Sequence, residues 1–285
     1  MSALMRTPES PRAAWLCMGV AAAAALALYT PLVPALVREW SEFPSLSHGF
    51  AVPFIAAYLI WARREQLRQT PIAPSLAGVP VLVVGLVALT LGVRGDEAFA
   101  ARISLPVTLL GLILLLAGKA VLAKAWLGVA YLVFMVPLPY ATLKLLMYRS
   151  RILDATVSAH ALGWLGVPVL QEGVMLHLPN MVLEVADDCS SIPALAALLS
   201  LGVAYASLTP RPIAVRVAIV AAAIPFAIGA NMVRIISTAA GVYYIGPWTL
   251  NTVYHLFNGT VNFLLTFLLL LAFDALLMRF VRRAR

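Results

Sequence analysis

Three residues able to do covalent chemistry stand near the ends of apolar runs: Cys189, Arg234 and His255. A thiol attacks a carbonyl as its thiolate. An imidazole takes and returns a proton near neutral pH, and a guanidinium offers a fixed charge to a developing oxyanion. As a set they suit acyl transfer through a thioacyl intermediate. Cys189 lies in Glu-Val-Ala-Asp-Asp-Cys-Ser-Ser-Ile-Pro-Ala-Leu, residues 184–195, where a polar, strand-like passage opens into a long apolar helix. A helix N-terminus or a nearby cation lowers a thiol pKa, whereas Asp187 and Asp188 would raise it. The sequence therefore demands a compensating cation, for which Arg234 and His255 are the candidates. Ser190 and Ser191 can cap the helix, and Pro193 is tolerated only in its first turn, which fixes Cys189 at the mouth.

Helix arithmetic puts the three at one depth. Arg234 follows Arg216 by 18 residues, roughly 27 Å of helix and nearly a bilayer core. His255 precedes Arg279 by 24 residues, roughly 36 Å, and Cys189 precedes Arg211 by 22, roughly 33 Å if helical. With the basic residues at the cytoplasmic side, all three reach the outer leaflet. Asn231 shares a helix face with Arg234, and Asn258 and Asn262 share one with His255. Polar groups within spans usually face the bundle interior or a wet cavity, so a shared outer cavity is the expected site. Taken singly, each residue has a plainer reading: a small core cysteine, a snorkelling arginine, an interfacial histidine. Their coincidence on one side carries the case. His48, in Ser-His-Gly at the head of another apolar run, is a helix cap or a rim residue. Cys17 lies at the cytoplasmic end of the first run with no polar partners and reads as structural, and its opposite sidedness excludes a disulfide to Cys189. His160 and His177 lack a Cys or an acid at ligand spacing, so neither a metal nor a cofactor is expected.

The elements that hold these residues are membrane spans. The 285-residue chain is 62% hydrophobic and 11% charged, with apolar residues in blocks between short basic loops, the profile of an all-α integral membrane protein. Spans are predicted near 13–36, 47–62, 75–93, 99–118, 121–138, 189–208, 212–242 and 255–278, about eight transmembrane helices, and the first is read as a retained helix. With both termini cytoplasmic, 13 of the 20 Lys and Arg fall inside and nine of the 12 Asp and Glu outside, as the positive-inside rule asks. The net charge of +8 is dispersed over loop ends and forms no contiguous patch, so nucleic acid is not an expected partner; membrane lipid is. Between spans five and six lies an outer-side insert, residues 139–188. Its first part, 140–165, has apolar residues at helical spacing with Lys144, Arg149, Arg151, Asp154 and His160 among them, predicting a surface helix. Its second part, 169–185, alternates around Val174, Leu176 and Leu178 and turns at Pro179-Asn180, predicting a short hairpin. No repeat or Gly/Ser linker divides the chain, so residues 1–285 are read as one multi-pass domain.

Leu-Glu-Val-Ala-Asp-Asp-Cys-Ser-Ser-Ile (183–192), Asn-Met-Val-Arg-Ile (231–235) and Tyr-His at 254–255 resemble the exosortase/archaeosortase family of multi-spanning membrane proteins. The passage Ser-His-Gly-Phe-Ala-Val-Pro to Trp-Ala-Arg-Arg, residues 47–64, is similar to that family's second span. The resemblance implies a transpeptidase-like enzyme with Cys189 as nucleophile, Arg234 as the essential arginine and His255 as third member. It implies a site facing the periplasm of a bacterial inner membrane. Its substrates would be proteins carrying a C-terminal Pro-Glu-Pro-type motif, a transmembrane helix and a basic tail, sorted to the cell envelope. The family's usual Cys-Ser-Gly is here Cys-Ser-Ser, and its small or single acidic residue before the cysteine is here Asp187-Asp188. Ser190, Asp188, Asn231, Asn258 and His48 are the supporting candidates. Release by water and transfer to an acceptor differ only in the second nucleophile and stay open. A non-catalytic transporter or exopolysaccharide assembly subunit would instead spread polar groups through several spans at midplane depth.

Overall fold

Apolar runs become helices here, and breaks fall where proline or glycine interrupts the backbone hydrogen-bond ladder. The computed structural model describes residues 11–283. Within that range the side chains of residues 11–14, Cys17, Pro44, Asp188, Thr252 and His255 lie outside the described set. The structural reading of Cys17 therefore falls outside the described residues. Contacts divide the chain into two units, 1–139 and 140–285.

In the first unit, α1 (Pro11–Tyr29) is followed by a 3-10 turn (Thr30–Leu32) and α2 (Val33–Glu42), with Pro31 and Pro34 at the break. A second 3-10 segment (Pro44–Phe50) leads to α3 (Val52–Trp61) and α4 (Arg64–Gln69). Then come α5 (Gly78–Arg94), α6 (Ala98–Leu116), α7 (Lys119–Ala130) and a 3-10 segment, Tyr131–Met135. The α5–α6 pair is the tightest contact. Gly78, Gly85 and Gly92 recur every seventh residue on one face of α5, and a Cβ at Gly85 would stand 2.4 Å from Thr108 Oγ1. Without a side chain there, the backbones approach closely enough for dispersion to replace the hydrophobic drive that lipid does not supply. Polar groups between helices satisfy one another. Tyr29 Oη lies 2.9 Å from Ser104 Oγ and 2.8 Å from Thr108 Oγ1, and Arg102 donates twice to Glu39, at 2.8 and 2.6 Å. His48 is half-buried in its 3-10 segment, where its carbonyl accepts from Ala51 N–H at 3.0 Å.

The second unit opens with α8 (Tyr140–Trp164), which buries a stripe of Met147, Asp154, Ala155, Ser158 and Leu162. Three short antiparallel strands follow in the order β1-β2-β3, namely β1 (Leu170–Glu172), β2 (Met175–Leu178) and β3 (Met181–Glu184). The expected hairpin with its turn at Pro179-Asn180 is β2–β3, registered Leu176 opposite Leu183. The strand β1 was not anticipated; it pairs through the turn at Gly173, whose φ of +60° suits glycine. The predicted alternation holds, with Leu176 and Leu178 buried. A 3-10 turn (Asp187–Cys189) then delivers the chain to α9 (Ser191–Leu208), α10 (Ile213–Tyr244), a 3-10 turn (Pro247–Leu250) and α11 (Thr252–Arg283). These three helices share a core of Leu198, Ile219, Ala223, Ala227 and Leu270. Near its end, Asp274 of α11 accepts Tyr205 Oη at 2.7 Å and Arg211 Nη2 at 2.9 Å.

Among the described residues, five helices are long and apolar enough to cross a membrane: Met18–Glu42, Ala98–Leu116, Ser191–Leu208, Ile213–Tyr244 and Leu256–Arg283. A sixth is reached if Lys119–Met135 and Tyr140–Trp164 count together as one span. The predicted spans at 47–62 and 75–93 coincide with shorter apolar helices, Ser45–Trp61 and Gly78–Arg94. The one at 121–138 coincides with a 12-residue helix ending in a 3-10 segment. The α-helices within two of these runs are cut to Val52–Trp61 and Lys119–Ala130 because 3-10 segments, Pro44–Phe50 and Tyr131–Met135, take up the rest.

Candidate active site

Cys189 closes the 3-10 turn that joins the sheet to α9, where its N–H donates to Ala186 O at 2.9 Å. The residue is half-buried, against the cluster of Ala155, Leu176, Val185 and Ile235. Two elements hold the turn. From α10, Asn231 donates its side-chain amide to the Cys189 carbonyl at 2.7 Å. From α8, the Asp154 carboxylate accepts the Ser191 N–H at 3.0 Å and the Ser191 hydroxyl at 2.9 and 3.0 Å. Asn231 also donates to Asp154 Oδ2, at 2.9 Å, and Ser150 Oγ stands 3.1 Å from the same oxygen. Asp154 is fully buried and Asn231 nearly so. An ionised carboxylate there costs several kcal/mol in lost hydration. Hydrogen bonds to a charged group return about 1.5–3 kcal/mol each, so its surrounding donors can offset that cost.

Expected helix capping by serine side chains takes a different form. Ser190 occupies the N-cap position of α9 but makes no side-chain cap bond, and among the described residues its buried hydroxyl has no hydrogen-bond partner. The first helical N–H goes to Asp154 instead, since a carboxylate is a stronger acceptor than a hydroxyl and also suits the positive end of the helix dipole. Ser191, at the position where the resembled family has glycine, has its hydroxyl bound by Asp154 and lies 2.8 Å from Ser150 Oγ.

Asp187 has a cation beside it that the sequence reading did not single out. Arg151 of α8 donates to Asp187 Oδ1 at 2.5 Å, to Glu184 Oε1 at 2.8 Å and to the Val185 carbonyl. Arg151 thus compensates Asp187, and Arg234 and His255 stay the candidate cations for the thiolate itself. Arg151 lies 36 residues from Asp187 along the chain, a pairing created only when α8 folds back beside the sheet.

Arg234 lies one turn beyond Asn231 on α10, half-buried, with its carbonyl accepting from Ser237 Oγ at 2.9 Å and Thr238 Oγ1 at 2.8 Å. Its guanidinium runs along α11: a Cβ on Gly259 would meet Cζ and Nε at 3.6 Å. His255 precedes Gly259 by one turn of α11, and its side chain lies outside the described set. Asn258 donates to Ser237 and Thr238 at 3.2 and 3.1 Å, so it supports the backbone of the Arg234 turn. Arg234, Asn231 and Asn262 line a cavity of about 50 Å³ with Ala194, Leu198 and Phe263, between α9, α10 and α11. The heads of α9 and α11 and the later part of α10 thus meet at one end of this unit. His48 belongs to the first unit, and Asp188 lies in the 3-10 turn with its side chain outside the described set.

Asp154, Ser150 and Arg151 went unassigned by sequence reasoning. The available signal was an acid four residues after a serine, in the same helical stripe as Met147, Ser158 and Leu162. An acid in an apolar stripe needs a built set of donors.

A half-buried cysteine at the head of an apolar helix, its turn held by an asparagine of the next helix, belongs to a chain with several membrane-length helices. The chain belongs to the transmembrane exosortase family, whose model (Exosortase_EpsH) matches residues 40–272. No curated protein and no solved structure matches the chain.

Proposed function

We propose that this chain is a membrane cysteine transpeptidase or peptidase that cleaves a C-terminal sorting signal at the periplasmic face of a bacterial inner membrane. The observation that supports it best is the fixing of the Cys189 turn by Asn231, one helical turn from Arg234. A reactive group held from a second helix, with an arginine one turn along that helix, suits covalent catalysis, and a spare core cysteine needs no such hold. In this reading the Cys189 thiolate attacks the scissile carbonyl, and Arg234 stabilises the tetrahedral oxyanion. His255 gives a proton to the leaving amine as the C–N bond breaks, which leaves a thioester on Cys189. Water or an acceptor amine then attacks the thioester, His255 takes the nucleophile's proton, and the thiolate leaves. Asn231, Asn258, Ser190 and Asp188 serve as supporting residues.

The substrate has a Pro-Glu-Pro-type motif, a transmembrane helix that lies beside the bundle, and a basic tail in the cytoplasm. Eight spans with both termini cytoplasmic, and the segment 139–188 outside, place the motif and Cys189 at the same face. The short helices at Ser45–Trp61 and Gly78–Arg94 complete crossings with their flanking turns. At 1.5 Å per residue, 17 residues cover about 26 Å, within reach of a thinned or locally adapted bilayer.

The deciding experiment co-expresses a reporter bearing such a signal with the wild type and with Cys189→Ala, Arg234→Ala and His255→Ala, and determines the mass of the reporter's new C-terminus. Loss of cleavage in all three, at unchanged protein level, is the expected result. A free carboxylate on the product means hydrolysis, and an added mass means transfer. Cleavage surviving in Cys189→Ala would return this thiol to a packing role.

A further inference from the structure

We propose that Asp154 is the positioning residue of the nucleophile, acting through two arms on the turn that carries Cys189; the proposal rests on the reading of Cys189 as the attacking thiol. One arm is direct: Asp154 Oδ2 accepts the N–H of Ser191 at 3.0 Å. The other runs through Asn231, whose amide nitrogen donates to Asp154 Oδ2 at 2.9 Å and to the Cys189 carbonyl at 2.7 Å. Peptide groups just beyond the nucleophile's Cα are thus tied to a single carboxylate on α8. A helix cap alone would need only the first arm. The second reaches upstream of α9 and has no capping role.

The chemistry of the group explains why a carboxylate is used. Ser191 N–H and the Asn231 NH₂ can only donate, and both address Oδ2, so the partner must present an acceptor there. Asparagine at 154 could satisfy them only by turning its own NH₂ toward the Ser191 hydroxyl, the group that reaches Oδ1. That hydroxyl would then have to accept where it now donates. Among the described residues, the hydrogen-bond partners of Asp154 are all uncharged: Ser150, Ser191 and Asn231. The carboxylate is therefore aimed at the turn and is not engaged in an ion pair. Asn231 cannot rotate without losing one of its two acceptors. Loss of Asp154 frees that amide and, with it, the Cys189 carbonyl.

Positioning shows in turnover more than in binding. A displacement of about 1 Å in the attacking atom costs on the order of a hundredfold in rate. Asp154→Asn is accordingly expected to lower kcat for the reporter about a hundredfold, with KM within about threefold of wild type. Asn231→Ala should do the same. The double variant should lose no more than the worse single one, because both changes break the same chain of contacts. A kcat within about threefold of wild type in Asp154→Asn, a loss carried by KM, or losses that multiply in the double variant would each overturn the proposal. If Asp154→Asn does not accumulate, Asn231→Ala decides: it cuts the second arm, should lower kcat about a hundredfold at unchanged KM, and a wild-type kcat there overturns the proposal. Cys189→Ala, assayed beside these, separates the two levels. Cleavage that survives in Cys189→Ala removes the nucleophile itself. An inactive Cys189→Ala beside a fully active Asp154→Asn removes the positioning role alone.

Discussion

Asp154 and Asp274 are both buried carboxylates in the second unit, and they are satisfied in different ways. Asp274 meets a cation and a phenol: Arg211 approaches from the α9–α10 connection and Tyr205 from α9, so three segments are fastened by side chains alone. The Arg102–Glu39 pair of the first unit follows the same pattern. Asp154 meets neutral donors, one of which is backbone, and they sit on or reach the turn around Cys189. A buried ion pair closes on itself and fixes helices to one another. A carboxylate surrounded by neutral donors fixes a stretch of backbone instead. The difference sorts the polar groups of this membrane protein into those that hold the bundle and those that hold the turn around Cys189.

The largest expected effect tests the bundle side of this contrast. Asp274→Ala leaves Arg211 without its carboxylate partner, and breaking a buried pair by removing one member costs about 3–5 kcal/mol. Arg211 retains 24% side-chain exposure, so solvent recovers part of this, and about 2–3 kcal/mol is the expected loss. Detergent-solubilised protein should show a lower unfolding midpoint, while cleavage per folded molecule stays at the wild-type level. A variant that keeps its midpoint and loses cleavage would erase the distinction between the two aspartates.

Ser190→Ala is the next largest. A buried hydroxyl with no partner costs about 1–3 kcal/mol of desolvation, and among the described residues Ser190 is in that position. Removing it should raise the unfolding midpoint by about 1 kcal/mol equivalent. Because the hydroxyl is buried, cleavage per folded molecule should stay at the wild-type level, with Ser190 a spacer between Cys189 and the cap. A stabilised variant that loses cleavage would bring the hydroxyl into the chemistry.

The site was partly legible because helix arithmetic is one-dimensional. The spacing of Arg216 and Arg234, and of His255 and Arg279, assigns depth along an axis, and the structure places Asn231 and Arg234 on one helix beside Cys189 and Gly259. Alternation in 174–178 and the Pro179-Asn180 turn likewise gave β2 and β3, since their pairing is local. What went unread depends on contacts between distant segments. Asp154 is 37 residues from Ser191 and 77 from Asn231, and its own helix, taken alone, resembles a surface helix with scattered charges. Arg151 stayed invisible as the partner of Asp187 for the same reason. The shortness of α3 and α7 went unread because an apolar run does not announce where a 3-10 turn will replace an α-turn.

The smallest effect concerns how much the rim charges matter to the thiol. Arg151 is itself mostly buried, but Glu184 and Asp187 are about half exposed, so water and salt screen both acids. Arg151→Gln removes the positive charge and leaves two carboxylates uncompensated, one of them only two residues from Cys189. Negative charge disfavours the thiolate, and alkylation follows the thiolate, so Cys189 should react more slowly. The expected change at neutral pH is about threefold at low ionic strength, shrinking toward none at roughly 1 M salt, where the Debye length falls to about 3 Å. Arg151→Lys, which keeps a charge without the fork, should recover most of the rate and show the same salt dependence. A slowing that salt does not reverse would mean that Arg151 acts by holding the Val185 carbonyl, and so belongs with Asp154 among the groups that fix backbone.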